Sequence, residues 1–152
     1  MPKIIIDLDV MLAAYSRKFD DKKTRAMDLI REVKSGKHEL YTPFTLMDII
    51  NVWRIDYLRN KIKKFFAIYS VEIVSAERIN TLANRIGVDL GGLKESFMEL
   101  GIKEEDSFLI MIASLLNLEL KTFNKKHLIN KQAEINRTLK ESNMGGISIS
   151  EP

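Results

Sequence analysis

The chain has 152 residues, a formal net charge of +3 and no cysteine. That length suits one compact domain, residues 1–152, with its own buried core. The lack of cysteine excludes disulfides, thiolate metal sites and a cysteine nucleophile. With His38 and His127 as its two histidines, the chain would have to hold a metal mainly through oxygen ligands.

No stretch approaches the ~20 apolar residues that cross a bilayer. The apolar start, Ile4 to Ile6, is cut short by Asp7 and Asp9, so no signal peptide is read. The expectation is a soluble, cytoplasmic protein with no membrane partner. Its slight basic balance permits nucleic-acid binding without requiring it.

Strand and helix signals alternate along the chain. Lys3 to Ile6 is a β-branched run that ends in acid, and it reads as a buried parallel strand. Val10 to Tyr15 starts a helix. Lys22 to Ser35 carries Ala26, Met27, Leu29, Ile30 and Val33 at helical spacing, and Gly36 stops it. Glu39 to Tyr41 reads as a short strand ending at Thr42-Pro43. Thr45 then caps a long helix carrying Leu46, Ile49, Ile50, Trp53, Tyr57 and Leu58, with a break expected near Asn60 before Ile62 to Tyr69. Val71 to Val74 is a strand, Glu77 to Ile86 a helix stopped by Gly87, and Leu93 to Leu100 a helix stopped by Gly101. Glu104 to Asn117 is the most apolar helix. Leu118 to Phe123 is a strand, Lys125 to Lys140 a helix with Leu128, Ile129 and Ile135 inward, and Ile147 to Ser150 a last strand. About five strands separated by helices predict an α/β fold: a central parallel sheet covered on both faces, in three layers.

Ligands of such sheets bind beyond the carboxyl ends of the strands. Asp7 and Asp9 follow the first strand, Asp48 lies one turn into the helix after the second, Asp106 opens the helix before the fourth, and Asn124 follows the fourth. Clustered carboxylates repel one another and are costly to desolvate, and a divalent cation such as Mg²⁺ relieves that cost. Such an ion can polarise a phosphodiester and lower the pKa of a bound water. Each position also has an ordinary structural role open to it. Asp7 can cap the next helix, Asp9 can be solvated, and Asp48, three residues after Thr45, resembles a capping box. Asp106, after Glu104 and Glu105, favours a helix dipole, and Asn124 can be an N-cap. The functional reading rests on their joint placement.

These segments resemble a known family. Lys3-Ile-Ile-Ile-Asp-Leu-Asp-Val-Met-Leu12 resembles the start of PIN domains, where a strand ends in aspartate and a second Asp or Asn often follows two residues later. Thr42-Pro-Phe-Thr-Leu-Met-Asp48 resembles the family's second acidic motif. Glu105-Asp-Ser-Phe-Leu-Ile-Met-Ile-Ala113 resembles the third, and Leu120-Lys-Thr-Phe-Asn-Lys-Lys-His127 the fourth. The resemblance spans essentially the whole chain, whose size is similar to that of VapC-type toxins, single-domain PIN ribonucleases neutralised by a small antitoxin. It implies an endoribonuclease dependent on Mg²⁺ or Mn²⁺, with catalytic residues Asp7, Asp48, Asp106 and Asn124: the three acids as metal ligands, and Asn124 orienting a ligand water or touching the metal weakly. Thr122 and Asp9 would support the site. It also implies a homodimer, with an antitoxin protein as a further partner. Two positions depart from the family pattern: its second acid is usually Glu where this chain has Asp48, and the residue after the first aspartate is usually small or hydroxylated where this chain has Leu8.

Contacts to an RNA backbone need Lys and Arg. Lys125 and Lys126 follow Asn124 directly and are the first candidates, and Arg17 and Lys18 are further ones. Arg54, Arg59, Lys61, Lys63 and Lys64 form a basic stretch backed by Phe65 and Phe66, read first as a solvated helix face. Two rival readings stand beside the nuclease. One is a PIN-like module that binds RNA or protein without catalysis. The other is a phosphatase resembling haloacid dehalogenases, suggested by Asp7-Leu-Asp-Val-Met-Leu12, although the chain has no Gly-Asp pair to complete that site.

Overall fold

Lys3–Ile6 forms β1, the middle strand of a parallel sheet, because its three isoleucines are buried from both sides. Ile4 and Ile6 face one core and Ile5 the other, the period-two alternation of a strand. The computed structural model describes residues 2–51, 56–69 and 71–152. Trp53, Arg54 and the side chain of Ile50 lie outside the described residues.

After β1 come α1 (Leu8–Tyr15), α2 (Asp21–Lys34), β2 (Glu39–Pro43), α3 (Phe44–Asn51), α4 (Asp56–Ile68) and β3 (Glu72–Val74). Then follow α5 (Ala76–Ile86), α6 (Leu90–Glu99), α7 (Glu104–Leu116), β4 (Glu119–Lys121), α8 (Gln132–Glu141) and β5 (Ile149–Ser150). The strand order is β3-β2-β1-β4-β5, and every pairing is parallel. Residues of α1, α2 and α4 pack with Ile4 and Ile6, and residues of α5 to α8 pack with Ile5. The result is the three-layer α/β/α architecture that the alternation of elements predicts.

Several boundaries differ from the expected ones, each for a local reason. β2 continues through Thr42 and Pro43, which pair with Ile73 and Val74; the residue before a proline favours extended backbone. Helix α3 therefore starts at Phe44, and Thr45 is its second residue rather than its cap. Asn60 does not break α4, which runs through it with Ile62 and Phe65 buried. The stretch after Asn124 turns before it becomes helical. The Asn124 carbonyl accepts from Leu128 N and Ile129 N, a 3-10 turn spans Ile129–Lys131, and α8 begins only at Gln132. Ile147 lies outside β5 because the side-chain amide of Asn136 takes both of its backbone groups, at 2.8 and 3.0 Å. The expected stop at Gly87 holds: its φ of 72° is left-handed, which favours glycine.

Ile5 is fully buried in the central strand. Replacing it by alanine should leave a cavity and cost about 2–5 kcal/mol. A urea titration should show a lower midpoint with an unchanged slope.

Candidate active site

In this strand order the connections from β1 run to β2 and β3 on one side, while β4 and β5 lie on the other. The carboxyl ends of β1 and β4 therefore bound the crevice where open parallel sheets take their ligands. Asp7 leaves β1 there. Its N–H still donates to Lys121 O at 2.9 Å, so the residue is held in the β1–β4 ladder. Its carboxylate caps α1, accepting from Leu8 N at 2.7 Å, and its other oxygen accepts from the Thr122 hydroxyl at 2.8 Å.

Thr122 is fully buried at the end of β4, and it organises the site. Besides Asp7 it lies 3.4 Å from Asp9, and its oxygen accepts from Asn124 N at 3.0 Å. Asp9, in the first turn of α1, also accepts from Phe123 N at 3.1 Å. Asn124 caps its own turn, its side-chain oxygen accepting from His127 N at 3.0 Å. That engagement leaves its amide NH₂, a donor, as its other polar group.

Asp106 enters from the first turn of α7. Burial raises the pKa of all three acids above the usual 3.8, and for Asp9 and Asp106 the charge of Asp7 adds to it. Asp7 is raised by burial, with the hydrogen bonds from Thr122 and Leu8 opposing. Asp9 is pushed up to about 7 by burial and then by the charge of Asp7. Asp106 rises to about 6 through burial, then Asp7 and Glu105, and Lys103 acts against the rise. Among the described residues no lysine or arginine forms an ion pair with any of the three. A cleft of about 30 Å³ opens beside Asp7, walled in part by Thr45 and Leu46 of α3 and by Glu105. It has room for about one water-sized ligand.

Asp48 is exposed on α3, and Asp7 and Glu105 are the acids that line this cleft; Asp9, Asp48 and Asp106 do not. The charge of Asp7 acts on both Asp9 and Asp106, and that of Glu105 on Asp106. Among the described residues no three acidic or histidine side chains are grouped so as to hold a metal ion. In chemical type, by contrast with spacing, the donors suit a hard cation: they are all oxygen, partly desolvated and in no ion pair with Lys or Arg among the described residues.

Positive charge reaches the crevice mainly from an unexpected element. Arg25 and Lys22 of α2 lie 5.5 and 5.7 Å from the ring centre of Phe123, next to the Asp9 contact. Glu151 binds Arg25 and also Lys125, the latter at 3.3 Å. Lys126 is exposed. Arg25 and Lys22 were legible only as two charges of an amphipathic helix far from the acids in sequence. Glu105 was legible as a neighbour of Asp106.

No family model matches the chain, and neither a curated protein nor a solved structure gives a significant match.

Each raised carboxyl keeps its proton to a higher pH when folded than when unfolded. The stability these protonated carboxyls contribute is therefore fully present below about pH 4 and is lost as pH rises through about 6 for Asp106 and about 7 for Asp9. A thermal melt series from pH 5 to 8, those limits being about the span of the cited shifts, should show that fall in the metal-free protein. Asp106→Asn should flatten the fall and raise the melting temperature at the alkaline end by on the order of 2–4 °C.

Proposed function

We propose that this chain is a divalent-metal-dependent endoribonuclease of the PIN kind. The observation that carries the proposal is the meeting of Asp7 and Asp9 at the Thr122 hydroxyl, within electrostatic reach of Asp106, in the crevice between β1 and β4. Buried acids without a cationic partner destabilise the fold unless they keep their protons or share a cation.

Asp7, Asp9 and Asp106 would hold Mg²⁺ or Mn²⁺, with Glu105 beside them. A bound ion of this type neutralises phosphate charge and makes water a stronger nucleophile near neutral pH. The chain's own part is to orient and to neutralise. Leu8 N and the Thr122 hydroxyl fix the Asp7 carboxylate, and Phe123 N fixes Asp9. The three acids would give up their protons to hold the cation, so its binding should tighten as pH rises. Arg25, Lys22, Lys125 and Lys126 would contact the phosphodiester backbone, a charge-based contact that salt weakens. RNA as the substrate, a homodimer and an antitoxin partner are proposed from the sequence resemblance.

The test is cleavage of a fluorescent single-stranded RNA with Mn²⁺ or Mg²⁺. EDTA should abolish cleavage, and added Mn²⁺ should restore it. Asp7→Asn and Asp106→Asn should each lower the rate by more than about 100-fold, whereas Thr122→Val, which removes a supporting hydroxyl, should cost about 10–100-fold. An equal loss in Asp48→Asn would bring α3 into the ligand set. Cleavage that continues in EDTA, or an active Asp7→Asn, would overturn the proposal. Hydrolysis of a phosphate monoester by an enzyme that leaves RNA intact would favour the phosphatase reading instead.

A further inference from the structure

The larger clefts of the molecule lie away from the acids. One of about 310 Å³ runs between α1, the end of α2 and α4, lined by Tyr15, Lys34, Lys61, Lys64, Phe65 and Tyr69 among others. A neighbouring cleft of about 260 Å³ shares Tyr15, Lys34 and Lys61 and adds Tyr57. Their combined space falls within the roughly 300–1,000 Å³ of small-ligand sites.

Two properties of this groove point to the same ligand. The first is charge. Lys34, Lys61 and Lys64 are exposed, and among the described residues none of them forms an ion pair with a carboxylate. Lys61 and Lys64, three residues apart on one helix, share a face. The nearby acids Asp28 and Asp56 are instead paired with Arg31 and Arg59. Three like charges around one recess repel one another, and an anion would relieve that repulsion. The second property is the aromatic wall. The Lys34 ammonium lies 5.4 Å from the Tyr69 ring centre and Lys61 lies 5.8 Å from that of Tyr57; Phe65 and Tyr69 stack obliquely at 5.3 Å. Cations beside flat rings in a recess suit alternating phosphates and bases. A lipid surface offers phosphates but no planar groups to enter the cleft.

We infer that this groove is a binding track for single-stranded nucleic acid, with Lys34, Lys61 and Lys64 on the phosphates and Tyr15 and Tyr69 against the bases. Aromatic stacking combined with backbone charge is the general mode of sequence-tolerant single-strand binding. The inference goes beyond the catalytic reading, because it requires binding alone and holds whether or not the acid site cleaves.

The experiment measures fluorescence anisotropy of labelled single-stranded RNA and DNA oligomers of one sequence, in EDTA so that no cleavage intervenes. Both oligomers should bind, since phosphates and base faces are common to them. Lys61→Ala/Lys64→Ala should weaken binding about tenfold or more at about 0.1 M salt and reduce the salt slope by about 0.7 for each phosphate no longer neutralised. Lys63→Ala, on the same helix but outside the cleft, should stay within about twofold of wild type. Tyr69→Leu should weaken binding at least about fivefold with the salt slope unchanged. Melting curves of each variant exclude misfolding. Equal affinity of wild type and the double lysine variant would overturn the inference, as would an equal loss in Lys63→Ala. Equally strong competition by polyglutamate would reduce the groove to a charge patch. If the double lysine variant stopped binding anionic phosphatidylserine vesicles while oligomer binding was unaffected, the groove would belong to a membrane surface.

Discussion

Two carboxylates meet at one buried hydroxyl. Thr122 can give its proton to a single acceptor at a time, and its 2.8 Å bond to Asp7 leaves the 3.4 Å contact with Asp9 the weaker one. Asp9 then depends on the backbone N–H of Phe123, and its remaining charge is opposed by Asp7. A neighbouring ammonium or guanidinium would relieve this at low cost, yet among the described residues neither Asp7 nor Asp9 forms an ion pair with one. The crevice is thus a place where the fold accepts local electrostatic stress that it could have avoided. Such departures from local consistency are what a functional site is expected to show.

The stress is sustained by packing on both faces of β1. Ile4 and Ile6 on one side and Ile5 on the other lock the strand that delivers Asp7. α7 delivers Asp106. Five consecutive residues of that helix, Leu109 to Ala113, are buried against the sheet and its neighbours, so its first turn has little freedom to withdraw an acid from the crevice. The helix that begins at the acid site also connects it to the basic groove. α1 starts beside Asp7 and ends at Tyr15, a rise of about 12 Å. The acids thus lie at one end of a short helix and the unpaired lysines at the other.

The positions of the strands and most helices were legible in the sequence because they depend on local properties. An apolar run ending in acid, a 3.6-residue apolar period and a glycine stop are each contained within a dozen residues. Ile4 to Ile6, the buried face of α2 and Gly87 belong to this class. Boundaries were less legible where a distant group took over the backbone. Ile147 is held by Asn136, and Thr42 and Pro43 pair with β3. No window centred on those residues contains the partner.

The acids themselves, Asp7, Asp9 and Asp106, could be proposed from their places at element ends, because a parallel sheet gathers such ends along one edge. Which of them share a hydroxyl was decided by the tertiary structure. Strand order makes β1 and β4 neighbours and so brings Thr122 to Asp7, while α3 leaves Asp48 exposed. The same holds for charge. Lys125 was visible beside Asn124, but Arg25 reaches Phe123 only through the packing of α2, and Lys34 joins Lys61 and Lys64 only because α2 and α4 lie on one face of the sheet. Hydrophobic period is a property of neighbours along the chain, whereas electrostatic company is a property of neighbours in space.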